Sequence, residues 1–197
     1  MNNVFIGIDP SINSTGIYIQ QYNDDRLIKE HTYIIKPTKL TKQEQNIHIK
    51  NFDYIIYNKL DISKNDISNS HIIELNKTNN MITIATNINT IVKKYKKCDN
   101  VYVILEGISY GSQKTKSIFD LAGLNYLIRY FIITNTDAKL IICPPQEIKK
   151  FASGKGNSQK DILTEAFLII YPQFNELKKI DDIVDAYFMC QYAKKFH

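Results

Sequence analysis

The chain has 197 residues, a length that fits one domain with a core of ordinary size and argues against two full domains. Its 25 Lys and Arg residues against 20 Asp and Glu give a net charge of +5, which allows a polyanionic partner without demonstrating one. The three cysteines are far apart, which argues against a disulfide framework or structural zinc and favours a reducing compartment. No stretch approaches the roughly 20 apolar residues of a membrane span, and no leader-like segment opens the chain, so we expect a soluble, cytoplasmic protein.

The first third of the chain predicts three strands and one long connection. Residues 3–9 form an apolar run, and a Ser- and Asn-rich turn at 10–16 leads into a second strand at 17–21. A third strand is predicted at 27–35. Residues 37–78 are polar, lack glycine and carry one amphipathic patch at 52–60. We interpret 37–78 as an insertion or an elaborated helical connection.

The remainder alternates helix and strand. Isoleucines recur at helical spacing over 82–92, and a strand follows at 101–106. A glycine-containing loop then precedes a helix at 114–133 and a strand at 138–143 that two prolines end. Helices are predicted at 161–170 and 181–195. The order predicts one α/β domain over 1–197, with a five-stranded mixed sheet flanked by helices.

Four carboxylates lie in apolar settings that suit a metal site. Asp9 and Glu106 each end an apolar strand, and they would emerge side by side if the two strands are neighbours. Asp182 and Asp185 are three residues apart on a predicted helix and share one face. Crowded carboxylates repel unless a cation neutralises them, and oxygen ligands suit Mg²⁺ or Mn²⁺. Two such ions about 4 Å apart are the usual arrangement for phosphodiester hydrolysis.

Each of these residues also has a purely structural interpretation. Asp9 can belong to a simple strand-ending turn, and Glu106 can form a salt bridge in a loop. Asp181 and Asp182 can complement the positive end of the helix, so Asp181 remains an alternative to Asp182 as a ligand. Asp185 lies deeper among apolar residues, where a merely solvated acid is less expected.

The segment 149–160 predicts a flexible basic loop. It holds four lysines separated by Ser, Gly and Asn, so its amides and ammonium groups can meet phosphates, although a plain solvated loop has the same composition. Tyr110 lies in a glycine-flanked loop after Glu106, where it can stack on an unpaired base. The lysines at 93–97 are interpreted as a solvated helix end.

Several motifs in order resemble RuvC-type Holliday junction resolvases of the RNase H-like superfamily, in a phage or viral branch. The matching segments are Gly7-Ile8-Asp9-Pro10-Ser11, Ser14-Thr15-Gly16, Leu105-Glu106-Gly107, Ile148-Lys149-Lys150-Phe151, Gly154-Lys155-Gly156 with Lys160, and Asp182-Ile183-Val184-Asp185-Ala186. The resemblance covers nearly the whole chain except about 37–78.

The resemblance implies an RNase H-like fold and roles for individual residues. Asp9, Glu106, Asp182 and Asp185 would bind two Mg²⁺ or Mn²⁺ ions, and Lys149 and Lys160 would hold substrate phosphate. The further candidate DNA contacts are Tyr110, Lys114, Lys150 and Lys155. The sequence departs from the family at the junction-opening aromatic, because Ser109 occupies its usual position and Tyr110 comes one residue later. The protein would be a homodimer that nicks two strands symmetrically across a four-way junction, in the cytoplasm of a bacterial or an infected host cell.

The sequence therefore predicts a metal-dependent endonuclease for branched DNA, acting in recombination or repair. A second possibility is an RNase H-like nuclease that cuts RNA-DNA hybrids, flaps or ribosomal RNA precursors. A third is an actin-like ATPase, which shares the strand, acid and Ser/Thr/Gly turn but needs a longer chain and a second phosphate loop. A fourth is a junction-binding protein without catalysis, for which the acids would be unnecessary.

Overall fold

The computed structural model describes residues 1–37, 39–60, 70–108, 115–153, 160–177 and 180–196. Its strands are β1 (Asn2–Asp9), β2 (Thr15–Asn23), β3 (Arg26–Lys36), β4 (Phe52–Ile56), β5 (Asn100–Glu106) and β6 (Lys139–Cys143). Its α-helices are α1 (Lys42–Gln45), α2 (Ser70–Lys93), α3 (Thr115–Asn135), α4 (Pro145–Ser153), α5 (Lys160–Ile170) and α6 (Asp181–Phe196), and a 3-10 helix spans Pro172–Glu176.

The six strands form one mixed sheet in the order β4-β3-β2-β1-β5-β6. The strands β1, β2 and β3 make an antiparallel meander, whereas β5 pairs parallel with β1, β6 with β5, and β4 with β3. All strands except β2 therefore run in the same direction. Their carboxyl ends meet at one edge of the sheet, here called the carboxyl edge.

Alternating side chains of the sheet build a separate core on each face. On one face Ile6, Ile8 and Leu105 pack with residues of α2 and α3. On the other face Phe5 and Ile104 pack with residues of α4, α5 and α6. Successive residues of a strand point to opposite faces, so the parity of a position decides which helices its side chain meets.

A carboxylate ties the sheet to the segment between α5 and the 3-10 helix. Glu30 Oε1 accepts hydrogen bonds from the Tyr18 hydroxyl at 2.9 Å, from Gln20 Nε2 at 2.7 Å and from the Tyr171 hydroxyl at 2.6 Å. Burial raises the pKa of both tyrosines, and the bonds to Glu30 add to the effect. The cluster therefore holds both phenols protonated.

The sequence-based fold prediction is confirmed in class and wrong in three details. The sheet has six strands, because Phe52–Ile56 pairs with β3 as an edge strand within the predicted insertion. The helix expected at 82–92 begins at Ser70 and spans 24 residues. Lys149 and Lys150 lie in α4, not in a loop, because Pro145 begins a helix after ending the strand.

Two further expectations about the chain can be compared with the structure. Cys98, Cys143 and Cys190 are all free thiols. Within the described ranges, no helix combines the length and the apolar character that crossing a membrane requires.

Candidate metal and DNA site

The two strand-ending acids lie side by side at the carboxyl edge. Asp9 ends β1 and Glu106 ends β5, and the parallel register of the two strands runs up to the pair Ile8 and Leu105. Asp9 and Glu106 are therefore the next pair in register, on strands about 4.8 Å apart. Both side chains are partly buried.

Both acids lie on the face of the sheet that α6 covers. Ile8 and Leu105 belong to the core under α2 and α3, so the alternation of the strands directs the following residues, Asp9 and Glu106, to the opposite face. Phe5 and Ile104, which share their parity, pack with residues of α6. The parity of the register thus brings the two carboxylates to the helix that carries the other two predicted ligands.

Two glycines allow α6 to lie directly on the sheet. A methyl group at Gly16 would overlap the backbone of Asp182 and lie 2.8 Å from its Cβ. A methyl group at Gly7 would overlap the carbonyl of Ala186. Gly16 is the register partner of Asp9 in the β1–β2 pair. Only residues without a Cβ permit this approach, which places the backbone of Asp182 beside the end of β1.

The thiol of Cys190 fixes α6 further along the same strands. The backbone N–H of Gly7 donates to Cys190 Sγ at 3.0 Å, and the thiol donates to the carbonyl of Tyr18 at 2.9 Å. Cys190 is fully buried, and burial raises its pKa, so it stays a neutral thiol that can donate. The helix is therefore held to both β1 and β2.

The two neighbouring acids at the start of α6, Asp181 and Asp182, differ in solvent exposure. Asp181 is exposed, whereas Asp182 and Asp185 are partly buried. The first turn is closed by the N–H groups of Ile183 and Val184, which donate to the carbonyl of Ile180 at 2.9 and 3.0 Å. Asp181 therefore suits the role of an exposed dipole partner, and Asp182 is the acid held against the sheet.

Glu106 is anchored by a residue that sequence analysis did not single out. Asn125 of α3 is 1% exposed, and its Nδ2 donates to the backbone carbonyl of Glu106 at 2.8 Å. The N–H of Gly107 donates to the carbonyl of Cys143 at 2.8 Å and extends the pairing of β5 with β6. The sequence signal for this role was an asparagine among the apolar residues of the helix that follows the strand. That signal is weak, because buried asparagines are common in protein cores.

The thiol of Cys143 lies next to the two strand-ending acids. It lies opposite Glu106 in the β5–β6 register. Burial, together with the carboxylate of Glu147, raises its pKa to about 11. Cys143 is therefore a neutral thiol at neutral pH in the metal-free protein.

The four acids do not form a ready-made cage. In the described part of the chain, no three His, Cys, Asp or Glu side chains are grouped so that they could hold a metal ion. Each of Asp9, Glu106, Asp182 and Asp185 has an interaction partner. The backbone brings the four residues to one edge, on three elements of the fold, without closing their side chains around a point.

The predicted phosphate-binding lysines are described only in part. Lys149 is partly buried and Lys150 is exposed in α4, whose amino end also lies at the carboxyl edge because it follows β6. Lys160 is the first residue of α5. The predicted DNA contacts Tyr110, Lys114 and Lys155 lie outside the described residues.

α4 is fixed to the end of α6 by polar and aromatic contacts. The Tyr192 hydroxyl donates to Glu147 Oε2 at 2.8 Å, and this bond raises the pKa of Tyr192 to about 12. The rings of Phe151 and Tyr192 meet edge to face, with centroids 5.6 Å apart. Lys149 therefore stands on a helix that is attached to the helix of Asp182 and Asp185.

Comparison with solved structures identifies the architecture. RuvC from Thermus thermophilus superposes with a TM-score of 0.56 at 14% sequence identity, over 98% of this chain and 96% of that chain. The fold is that of RuvC. The structure of T. thermophilus RuvC in complex with Holliday junction substrate matches at a TM-score of 0.54 and 13% identity, over 98% and 96% of the two chains.

A eukaryotic enzyme has the same architecture. The yeast mitochondrial Holliday junction resolvase Ydc2 matches at a TM-score of 0.51 and 10% identity, over 98% of this chain and 84% of that chain. No family model matches the chain, and no curated protein matches it in sequence. The expected RNase H-like α/β fold is confirmed, and at these identities the likeness establishes the fold alone.

Proposed function

We propose that the protein is a divalent-metal-dependent endonuclease that resolves four-way DNA junctions by paired symmetric nicks. The observation that carries the proposal is the arrangement at the carboxyl edge. Asp9 and Glu106 end adjacent parallel strands on the face covered by α6, and Gly16 lets the backbone of Asp182 lie beside them. The RuvC fold over nearly the whole chain supports the same assignment.

The residues present fit Mg²⁺ or Mn²⁺. Mg²⁺ keeps several waters and is usually bound through one or two carboxylates together with substrate phosphates, so the adjacent pair Asp9 and Glu106 is a sufficient protein contribution for one ion. Asp185 and Asp182 would complete the ligand shell of the ions bound at Asp9 and Glu106. Bound ions would supply an activated water and would stabilise the leaving oxygen.

The remaining residues bind and orient the substrate. Lys149 presents an ammonium group from α4 at the carboxyl edge, where it stabilises phosphate charge, and Lys160 at the start of α5 has the same proposed role. Tyr110, Lys114, Lys150 and Lys155 are the proposed further contacts to branched DNA. T. thermophilus RuvC has been captured in complex with a Holliday junction substrate, which supports this choice of partner.

A homodimer would supply the two active sites that paired nicks require. Phe119, Tyr126, Tyr130 and Ile133 of α3 are 74%, 56%, 61% and 66% exposed, and their spacing puts them on one face of the helix. The charged side chains of the described part of α3 are engaged, Asp120 with Lys77 at 3.4 Å and Arg129 over the Tyr126 ring at 4.8 Å. This aromatic and apolar stripe, with the Arg129 guanidinium over its Tyr126 ring, is the surface we assign to a second copy.

The test is cleavage of a labelled immobile four-way junction with Mg²⁺, beside matched linear duplex and RNA-DNA hybrid. Asp9→Asn and Asp182→Asn are expected to lose roughly 10²-fold or more in rate while still binding the junction, because each removes a charged ligand worth several kcal/mol. Asp181→Asn is the matched control and should cut normally. Preferential cutting of the hybrid would reassign the substrate, and equal loss in the control would refute the metal role of Asp182.

A further inference from the structure

A cavity of about 630 Å³ opens at the carboxyl edge beside the turn that follows Asp9. Asn13 and Ser14 of that turn form one wall. The end of β3 contributes Lys36, the segment that follows β4 contributes Lys59, and the 3-10 helix contributes Glu176. The cavity therefore lies at the same edge of the sheet as the candidate metal site, and it is built largely by the segment 37–60, which sequence analysis treated as part of an insertion.

The walls of the cavity combine apolar surface with unpaired cations. Ile34, Ile47, Tyr54 and Leu177 supply an apolar and aromatic lining. Lys39 and Lys59 are exposed at the cavity, and neither is paired with a carboxylate of the described chain.

A third lysine of the lining is already neutralised. Lys36 Nζ lies 2.6 Å from Glu44 Oε1. The bonds of Glu44 to Lys36 and to the Thr41 backbone and hydroxyl outweigh its burial and lower its pKa. The surplus positive charge of the cavity is therefore that of Lys39 and Lys59, whereas Glu176 beside Leu177 adds a carboxylate next to the apolar wall.

The position of the cavity matches a DNA strand that runs to the site. β3 and β4 are two and three strands away from β1, so the cavity lies about 10–14 Å from the end of β1. Phosphates of one strand in a duplex are about 3.4 Å apart along the axis, which makes this distance roughly three or four nucleotides. A volume of 630 Å³ falls within the range of small-ligand pockets and suits one nucleotide.

We propose that this cavity binds one unpaired nucleotide of the DNA strand, three or four positions from the scissile phosphate. This inference rests on the proposed nuclease function. The base lies against Tyr54 and Leu177, and its phosphate meets Lys39 and Lys59. Glu176 accepts a hydrogen bond from an exocyclic amino group of the base. Extrusion of a base costs least where pairing is already broken, so the cavity favours branched over linear DNA.

The first experiment measures binding without catalysis. Affinity for a labelled junction and for short oligodeoxycytidylate, whose bases carry an exocyclic amino group, is measured in EDTA at several salt concentrations. Lys39→Ala/Lys59→Ala is expected to reduce the slope of log K against log salt by roughly 0.7 for the single strand, because the two lysines together meet one phosphate. The control is Lys93→Ala/Lys96→Ala, which alters two exposed lysines of a cavity of about 440 Å³ at the opposite edge of the sheet.

The second experiment tests entry of the base. 2-Aminopurine, which brightens when it leaves the stack, is placed in turn along one arm of the junction. One position should brighten with wild type and stay dark with Asn58→Trp, which fills the cavity from its exposed rim and leaves both lysines intact. An unchanged salt slope for the Lys39/Lys59 variant, an equal change in the Lys93/Lys96 control, or an equal signal with Asn58→Trp would each overturn the proposal. Because both readouts omit metal, they do not depend on whether the protein cuts.

Discussion

Replacing Gly16 by alanine is expected to destabilise the protein and to impair its site together. A methyl group there would overlap the carbonyl oxygen and carbon of Asp182 and crowd its Cβ, so the backbone of α6 has to move. Overpacking costs about 1–3 kcal/mol, and the upper end applies because the obstacle is backbone and not a flexible side chain. At about 2–4 °C per kcal/mol for a chain of this size, the melting temperature should fall by roughly 6–12 °C.

The matched control is Gly123→Ala in α3. Its methyl group would meet only Met81, at 3.3 Å from Sδ, and a methionine can change rotamer. Alanine in place of a helical glycine stabilises by about 0.5–1 kcal/mol, so we expect no loss of stability.

The melting temperature and the free energy of unfolding of both variants are measured by thermal and urea unfolding, followed by circular dichroism. Junction cleavage is assayed well below the lower of the two melting temperatures. An unchanged melting temperature for Gly16→Ala would refute the close contact of α6 with the sheet. Normal cleavage by a destabilised Gly16→Ala protein would refute the requirement for Asp182 beside Asp9.

Three further outcomes are expected. Tyr130→Asp should convert a dimer to a monomer in analytical sedimentation. The control Ile169→Asp, at an 83% exposed position on α5, should leave the dimer intact. A dimer that survives Tyr130→Asp would exclude the α3 stripe as its interface. Glu30→Leu leaves hydroxyl and amide donors without their acceptor. It should lower the free energy of unfolding, measured with urea, by about 3 kcal/mol. A loss below about 1 kcal/mol would mean that water replaces the carboxylate as the acceptor. Burial raises the pKa of Tyr95 from 10.0 to about 12, so its contribution to stability is complete below pH 10 and is lost as the pH rises to 12. The stability of Tyr95→Phe should decline less over that interval, and a parallel decline would contradict the assignment.

The three strands of the meander and the elements that carry the acids could be predicted, because each is marked by a pattern within its own short stretch of sequence. β1 and β5 are apolar runs that end on an acid, and α6 matches its predicted range at the first residue. β4 was missed because a five-residue edge strand acquires its identity from pairing with β3, which no local pattern records.

The sequence predicts which residues form the site more readily than it predicts how they are arranged in space. Adjacent acids can be inferred from strand ends, but the face they occupy depends on register parity, and a slip of one residue would reverse it. The anchor of Glu106 is a side chain of α3 nineteen positions later, Asn125, which forms a single long-range bond. The start of α4 was misread because Pro144 and Pro145 were treated as a stop alone, although proline also favours the first turn of a helix.

The separation of the site along the chain has a consequence for biosynthesis. Asp9 belongs to the first strand of the described fold, and Asp182 and Asp185 belong to its last helix. A nascent chain that has reached only β6 has the sheet with Asp9 and Glu106 but lacks the helix that covers them. Fragments that end before residue 181 should therefore show no cleavage in a translation-coupled assay. The proposed nuclease would therefore stay inert until α6 has been translated and has docked on the sheet.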